Sequence, residues 1–472
     1  MHCALLLMAG LSVLAPAAIA EPIVVQQTAA APRTVDQIPD AATATRLARE
    51  GRGLSAQQVN ELEDRLKDTP DDLPARARLL GYYFMTAIRV AGPEATRAAR
   101  RRHILWLIEH HPGNDITMLS DFTIDPAGHP LADAEGYSQA KKLWLDQIDH
   151  RKDDVRVLTH VARFFQLTDK ALALIGLKQA VQLAPGDRDI ASRLGYTYAI
   201  SALGITMINN NGLPMSADPG EASGEVAKTA INDLRASSNP VVVAVAGSIL
   251  SQYGAMIQAV TKGAINQDAL AEELLVRAAA LDPNDPGPPR SLGQFYSLRR
   301  MRAEGPEGRS ALARKSLAQA EMVVDRTAGN REARMYALNT ASKAAMDAEA
   351  FDKARRFAND LLKQVADPPD VRDGQAFHDG HVVLGRVALK DGDLQQAKAH
   401  LLQAGRTPGG DTLTSFGPNM SLAKDLAERG ERDTVITYLE LCRSFWQRPQ
   451  LNQWIQTLKD GKIPNFGANL VY

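Results

Sequence analysis

Aromatic residues are scarce in this chain, at 5% of its 472 positions. A strand-rich core draws heavily on aromatic and β-branched side chains, so the scarcity weighs against one. Cysteine is scarcer still, with only Cys3 and Cys442. If Cys3 leaves with an N-terminal segment, no intramolecular disulfide can staple the fold. Neither sign of charge is in excess. Lys and Arg number 54 and Asp and Glu 55, for a formal net charge of −1. That excludes an overall basic field drawing in nucleic acid or anionic lipid. The G-x-S-x-G, G-x-x-x-x-G-K, G-x-G-x-x-G and H-E-x-x-H patterns are all missing, so no cofactor and no metal is expected.

The apolar run Leu5–Ile19 is too short and too rich in alanine to span a membrane. Ala18-Ile19-Ala20 has the small-x-small form of a signal-peptidase site. The expectation is a signal peptide over 1–20, cleavage after Ala20, and a periplasmic or secreted protein with no membrane span in the mature chain. No Lys or Arg precedes the apolar run, which departs from the usual signal. Residues 21–53 are rich in Ala, Thr, Pro and Gln and read as a flexible leader, ending in a short helix.

What the sequence has in quantity is small and aliphatic residues at helical spacing. The clearest stretch runs from His378 to Pro408. Leu384, Ala388, Ala397, Leu401 and Ala404 fall at helical offsets on either side of Asp391-Gly392-Asp393. Leu422, Gly430, Val435, Leu439 and Cys442 reproduce these positions one for one. Cys442 therefore falls where a small buried side chain is needed. The same second-helix spacing recurs at Ala173, Leu177 and Ala180, and at Ala271, Leu275 and Ala278. A Leu-Gly-x-x-aromatic core opens other helices at Leu80, Leu194 and Leu292.

The order L-G-x-x-A, G, A-x-x-x-L-x-x-A, P resembles the tetratricopeptide repeat over about two thirds of the chain beyond residue 20. The resemblance implies an all-α fold, a right-handed superhelical solenoid of antiparallel helical hairpins. The expected organisation is N-terminal hairpins over 54–200, an atypical loop and buried apolar helix over 201–265, and C-terminal repeats with a capping helix over 266–472. The stretch from Ser415 to Asp433 is similar to uncharacterised bacterial repeat proteins and supplies no activity.

Three patterns bear on chemistry. Ser421-Leu-Ala-Lys424 matches S-x-x-K, but no S-x-N or K-T-G companion exists, and the serine opens a repeat helix. His378 and His381 could share a helix face, without a third ligand at useful spacing. Arg97, Arg100, Arg101 and Arg102 crowd one helix and read as a solvated face.

Binding is the better reading. In the family, positions around the Leu-Gly core line a concave surface. Carried onto this chain, the resemblance points to Arg78, Tyr82, Ser192, Tyr196, Arg290, Gln294, Asn339, Lys343 and Arg386. These imply a protein or peptide partner, and no nucleic acid. The expected function is an exported scaffold without catalysis. The alternatives are an envelope hydrolase or peptidoglycan-active enzyme with its site in 201–265, and a structural subunit of an envelope complex.

Overall fold

The computed structural model describes residues 40–209, 213–261 and 266–470. The signal peptide and most of the leader fall outside these residues. Compactness divides the chain at Pro283/Asn284 into an N-terminal and a C-terminal unit. The sequence boundaries at 200/201 and 265/266 are not where the units part. Each unit is a stack of antiparallel helices, so the all-α, tetratricopeptide-like hairpin fold expected from the sequence is the fold observed.

The N-terminal unit begins with α1 (Ala41–Gly51), α2 (Ala56–Asp68), α3 (Leu73–Met85), α4 (Ala87–Val90) and α5 (Gly92–His110). It continues with α6 (Ala134–His150), α7 (Val155–Phe165), α8 (Lys170–Leu183) and α9 (Arg188–Ala202). After a short antiparallel hairpin, β1 (Ile205–Ile208) and β2 (Pro214–Ala217), come α10 (Pro219–Ser223) and α11 (Glu225–Ala236). The unit closes with α12 (Pro240–Thr261) and α13 (Gln267–Leu281). Aspartates do most of the capping. Asp40, Asp72, Asp133, Asp154, Asp169 and Asp187 each accept from backbone N–H groups of the following first turn. Ser55 forms a capping box with Gln58.

The leader expectation needs correction at its end. Residues 41–51 form a full helix that packs along α3, so regular structure is already present before Leu54. Two glycines explain the fit. A Cβ on Gly51 would lie 1.9 Å from the Arg78 carbonyl oxygen, and one on Gly81 1.9 Å from that of Ala48. The two backbones touch at a reciprocal glycine crossing, which no other residue permits. Within α12, Pro240 to Ser251 are all buried or half-buried, as expected of a helix surrounded by others.

The C-terminal unit pairs α14 (Gly287–Arg302) with α15 (Gly305–Arg326), and α16 (Arg331–Asp347) with α17 (Phe351–Leu362). Next, α18 (Gly374–Lys390) pairs with α19 (Leu394–Gly405). After α20 (Asp411–Phe416), α21 (Ser421–Ala427) pairs with α22 (Arg432–Cys442), and α23 (Pro449–Lys459) covers the end. Three of these hairpins turn in the same way. Gly392 and Gly430 stand at φ +83° and +89°, and Glu349 at +56°. In each, the next N–H reaches back to Ala388, Leu426 or Ala345, closing the helix with a left-handed cap. Cys442 is fully buried between α19, α21 and α22, as its repeat position requires, and burial pushes its thiol pKa up.

The C-terminal tail is fastened to the stack. Phe466 is buried, 5.1 Å from the Trp454 ring, and the Asn469 amide donates to the carbonyls of Phe416 and Pro418. It thereby covers apolar surface on α23.

Candidate binding surfaces

In the C-terminal unit the first helices of the hairpins, α14, α16, α18 and α21, are joined by a ladder of ion pairs. Arg300 on α14 reaches Asp347 on α16 at 2.6 Å. Lys343 on α16 reaches Asp379 on α18 at 2.6 Å. Arg386 on α18 reaches Asp425 on α21 at 3.0 Å. Each cation thus stands one hairpin before its carboxylate.

Asp379 is the hub of this face, and its side chain is fully buried. Its Oδ2 accepts from Lys343, from the Asn339 amide at 2.9 Å and from the Gln375 amide at 2.6 Å. His378, also fully buried, donates from Nδ1 to Oδ1 at 2.9 Å, and its Nε2 lies 3.1 Å from the Tyr438 hydroxyl on α22. Burial alone would raise the Asp379 pKa. The Lys343 charge and the His378 hydrogen bond overcome it and hold the carboxyl ionised, below the usual range. Asp347 shifts the other way: partial desolvation between the packed helices raises it more than the charges of Arg300, Arg386 and Lys343 lower it.

These contacts revise the residues expected to touch a partner. Asn339, Lys343 and Arg386 do share one face, but each is committed to a carboxylate of the next hairpin's first helix. Gln294 is exposed on α14. Arg290 lies over the ring of Tyr336, 5.7 Å from its centroid, and Tyr336 is 46% exposed. Tyr336 was missed by sequence reasoning because it lies outside the Leu-Gly core positions.

In the N-terminal unit the expected residues do not form one site. Tyr82 is buried with Val59, Leu66 and Leu79, so it serves the core and cannot meet a ligand. Arg78 donates from two nitrogens to Glu50 on α1, at 3.1 and 2.9 Å. The Ser192 hydroxyl bonds back to the Arg188 carbonyl at 2.6 Å. Tyr196 is half-buried, and burial pushes its phenol up to about 12.

The other sequence patterns resolve structurally. Of the four clustered arginines only Arg102 is exposed, and each has a partner. Arg97 and Arg100 bind the carbonyls of Pro130 and Thr123, Arg101 pairs with Asp133 and Glu135, and Arg102 pairs with Glu63. Arg100 is buried beneath Phe84. His378 and His381 diverge: His381 Nδ1 meets His400 Nδ1 at 3.0 Å instead. Among the described residues no group of three or more acidic, histidine or cysteine side chains is placed to hold a metal. Asn419 accepts from the Ser421 N–H, so Ser421 opens a scaffold helix, and Lys424 turns to Glu428.

A cleft of about 610 Å³ lies between α2, α3 and α5. Glu63, Arg76, Tyr83, Arg102, His103 and Trp106 line it. Glu63 accepts from the Tyr83 hydroxyl at 2.7 Å, from His103 Nε2 at 3.0 Å and from Arg102 at 2.6 Å. Because His103 Nε2 carries the proton to Glu63, its Nδ1 accepts from Arg76, at 3.2 Å. Arg76 stacks on Trp106, 3.4 Å from the ring centroid. Arg76 and Tyr83 are seven apart on α3 and share a side; Arg78, two residues on from Arg76, faces α1 instead.

No family model matches the chain, and no curated relative does. Solved structures that it resembles include a human IFIT1 dimer with PPP-AAAA, 15% identical over 88% of this chain and 97% of that one, with a TM-score of 0.34. A monomeric IFIT1 mutant with Gppp-AAAA is 16% identical over 90% of each chain, with a TM-score of 0.35. Yeast Tom70 is 11% identical over 89% and 96%, with a TM-score of 0.24. At these scores the likeness carries neither fold nor ligand, and the fold reading rests on the helices described above. No described helix is long and apolar enough to cross a membrane.

Proposed function

We propose that this chain is a binding scaffold, without catalysis, that holds an extended peptide of a protein partner on the first-helix face of its C-terminal unit. The observation that carries this reading is the ion-pair ladder. It fixes the polar side chains of four successive first helices before any partner arrives, so little ordering entropy is lost on binding. Between the fixed pairs, Tyr336 and Gln294 stand exposed. A rigid aromatic beside an amide and an arginine suits a peptide backbone with side chains of mixed charge. The neutral total charge favours such a partner over nucleic acid.

Selection of peptides from a displayed library against the full chain tests this. Selected peptides should lose affinity about tenfold or more on Tyr336→Ala, which leaves the ladder intact. Peptides that bind Tyr336→Ala as tightly as the parent would remove the reading. Export is part of the same proposal and rests on residues 1–20 alone. Protein recovered from a bacterial envelope should begin at Glu21; a chain that begins at Met1 opposes cleavage.

A further inference from the structure

The cleft between α2, α3 and α5 shares no residue with the first-helix face and holds an unusual cation. Arg76 is 5% exposed. Its Nε donates to the Pro70 carbonyl at 2.9 Å and one terminal nitrogen to His103. No described carboxylate forms an ion pair with it. A guanidinium has five N–H donors in a planar fork, so most of this fork is not spent on the protein. Glu63, Asp71 and Asp72 act on it through space, but none is within ion-pair distance, and a buried cation is usually paired directly.

Each of these carboxylates is engaged elsewhere: Asp71 with His111, and Asp72 with Arg65 and the Ala75 N–H. Glu63 lines the same cleft, but Tyr83, His103 and Arg102 hold it. Swinging it to Arg76 would break all three bonds. His103 completes the arrangement: Glu63 fixes its proton on Nε2, so the Nδ1 lone pair faces Arg76. The stack on Trp106 keeps the guanidinium flat and in place. The fork is therefore presented to the cleft in one orientation.

We propose that this cleft binds a monocarboxylate with an apolar body. The carboxylate meets the open edge of the Arg76 fork in the bidentate geometry that guanidinium and carboxylate share. The body lies against Leu66, Pro70 and Ala99, which line the cleft. The apolar wall sets the preference: inorganic phosphate has no body to lie against Leu66, Pro70 and Ala99, so it is disfavoured. The carboxylate belongs either to a free organic acid or to the last residue of a peptide.

Titration of the full chain with benzoate, N-acetylphenylalanine, N-acetylphenylalanine amide and inorganic phosphate tests the assignment. The readouts are tryptophan fluorescence and the Nε–H signal of Arg76 in protein labelled with ¹⁵N-arginine. Benzoate or N-acetylphenylalanine should saturate the site and shift the Arg76 signal. The tighter of the two identifies the source. The amide and phosphate should bind at least about tenfold more weakly. Arg76→Met should weaken the acid about 10- to 100-fold, and Arg76→Lys less, because a point charge replaces the fork. An amide that binds as well as the acid overturns the proposal. So does an Arg76 signal in the parent chain that no carboxylate moves, which decides the matter even if both variants fail to fold.

Discussion

Lys343 Nζ and Asp379 Oδ2 lie 2.6 Å apart, joining two first helices of the C-terminal unit through a carboxylate that water does not reach. The pair is the middle rung of a ladder and the start of a buried polar chain that runs on through His378 to Tyr438. Neither residue is available to a partner as a free charge. Their contribution to binding is to hold the face in one shape.

Removing both partners of this pair should cost less than the two single removals added together. Lys343→Met leaves the Asp379 charge buried and should lose about 2–4 kcal/mol, discounted because Lys343 is 29% exposed. Lys343→Met with Asp379→Leu should lose less than the sum of the single changes. A double-mutant cycle by urea unfolding reads the coupling, and strict additivity would deny it.

The turn at Glu349 makes a second prediction. It is the one described non-glycine residue at positive φ, where its hairpin neighbours carry Gly392 and Gly430. Glu349→Gly should stabilise by about 0.5–1 kcal/mol by relieving the left-handed backbone. Gly392→Ala should destabilise by a similar amount. Thermal melts of the two variants should move in opposite directions.

The Gly51–Gly81 crossing makes a third. Gly81→Ala places a methyl on the Ala48 carbonyl and should cost about 1–3 kcal/mol or more. Because the clash is with α1, limited proteolysis should cut first between residues 40 and 52. Cleavage unchanged from the parent would mean that α1 does not depend on the crossing.

Acid should weaken the fold before the carboxylates titrate. Burial brings His160 and His381 from the ordinary 6.5 down to about 4. His160 donates from Nδ1 to the Pro112 carbonyl at 3.1 Å, with Asp115 and Arg156 nearby. The unfolded chain binds these protons first. Stability is therefore full above pH 6.5 and falls as the pH drops toward 4. His160 contributes roughly 2–3 kcal/mol of that loss. Asp379 acts lower: its depressed pKa adds stability above pH 3.8, which fades below it. His160→Gln should flatten the melting temperature between pH 6.5 and 4.5; an unchanged slope would contradict the assignment.

The repeats were legible because their signal is local. Leu384, Gly392 and Ala404 against Leu422, Gly430 and Cys442 are enough, as residues in a row, to define two hairpins. The helix 41–51 was less legible because it packs through Ala44, Ala48 and Gly51, which also suit a disordered alanine-rich leader. The site was least legible. Lys343 and Asp379 stand 36 positions apart, and Arg386 and Asp425 stand 39 apart, so which pairs form depends on helix packing rather than on spacing. The arginines at 97, 100, 101 and 102 misled for the same reason. Their partners, Pro130, Thr123, Asp133 and Glu63, lie on other elements.

A peptide held on the first-helix face should be within reach of site-directed photocrosslinking. A photoreactive residue at Gln294, exposed on α14, should capture a selected peptide, while the same residue at Asn359, exposed on α17, should not. Capture at Asn359 with none at Gln294 would place the partner elsewhere and rule out binding on this face.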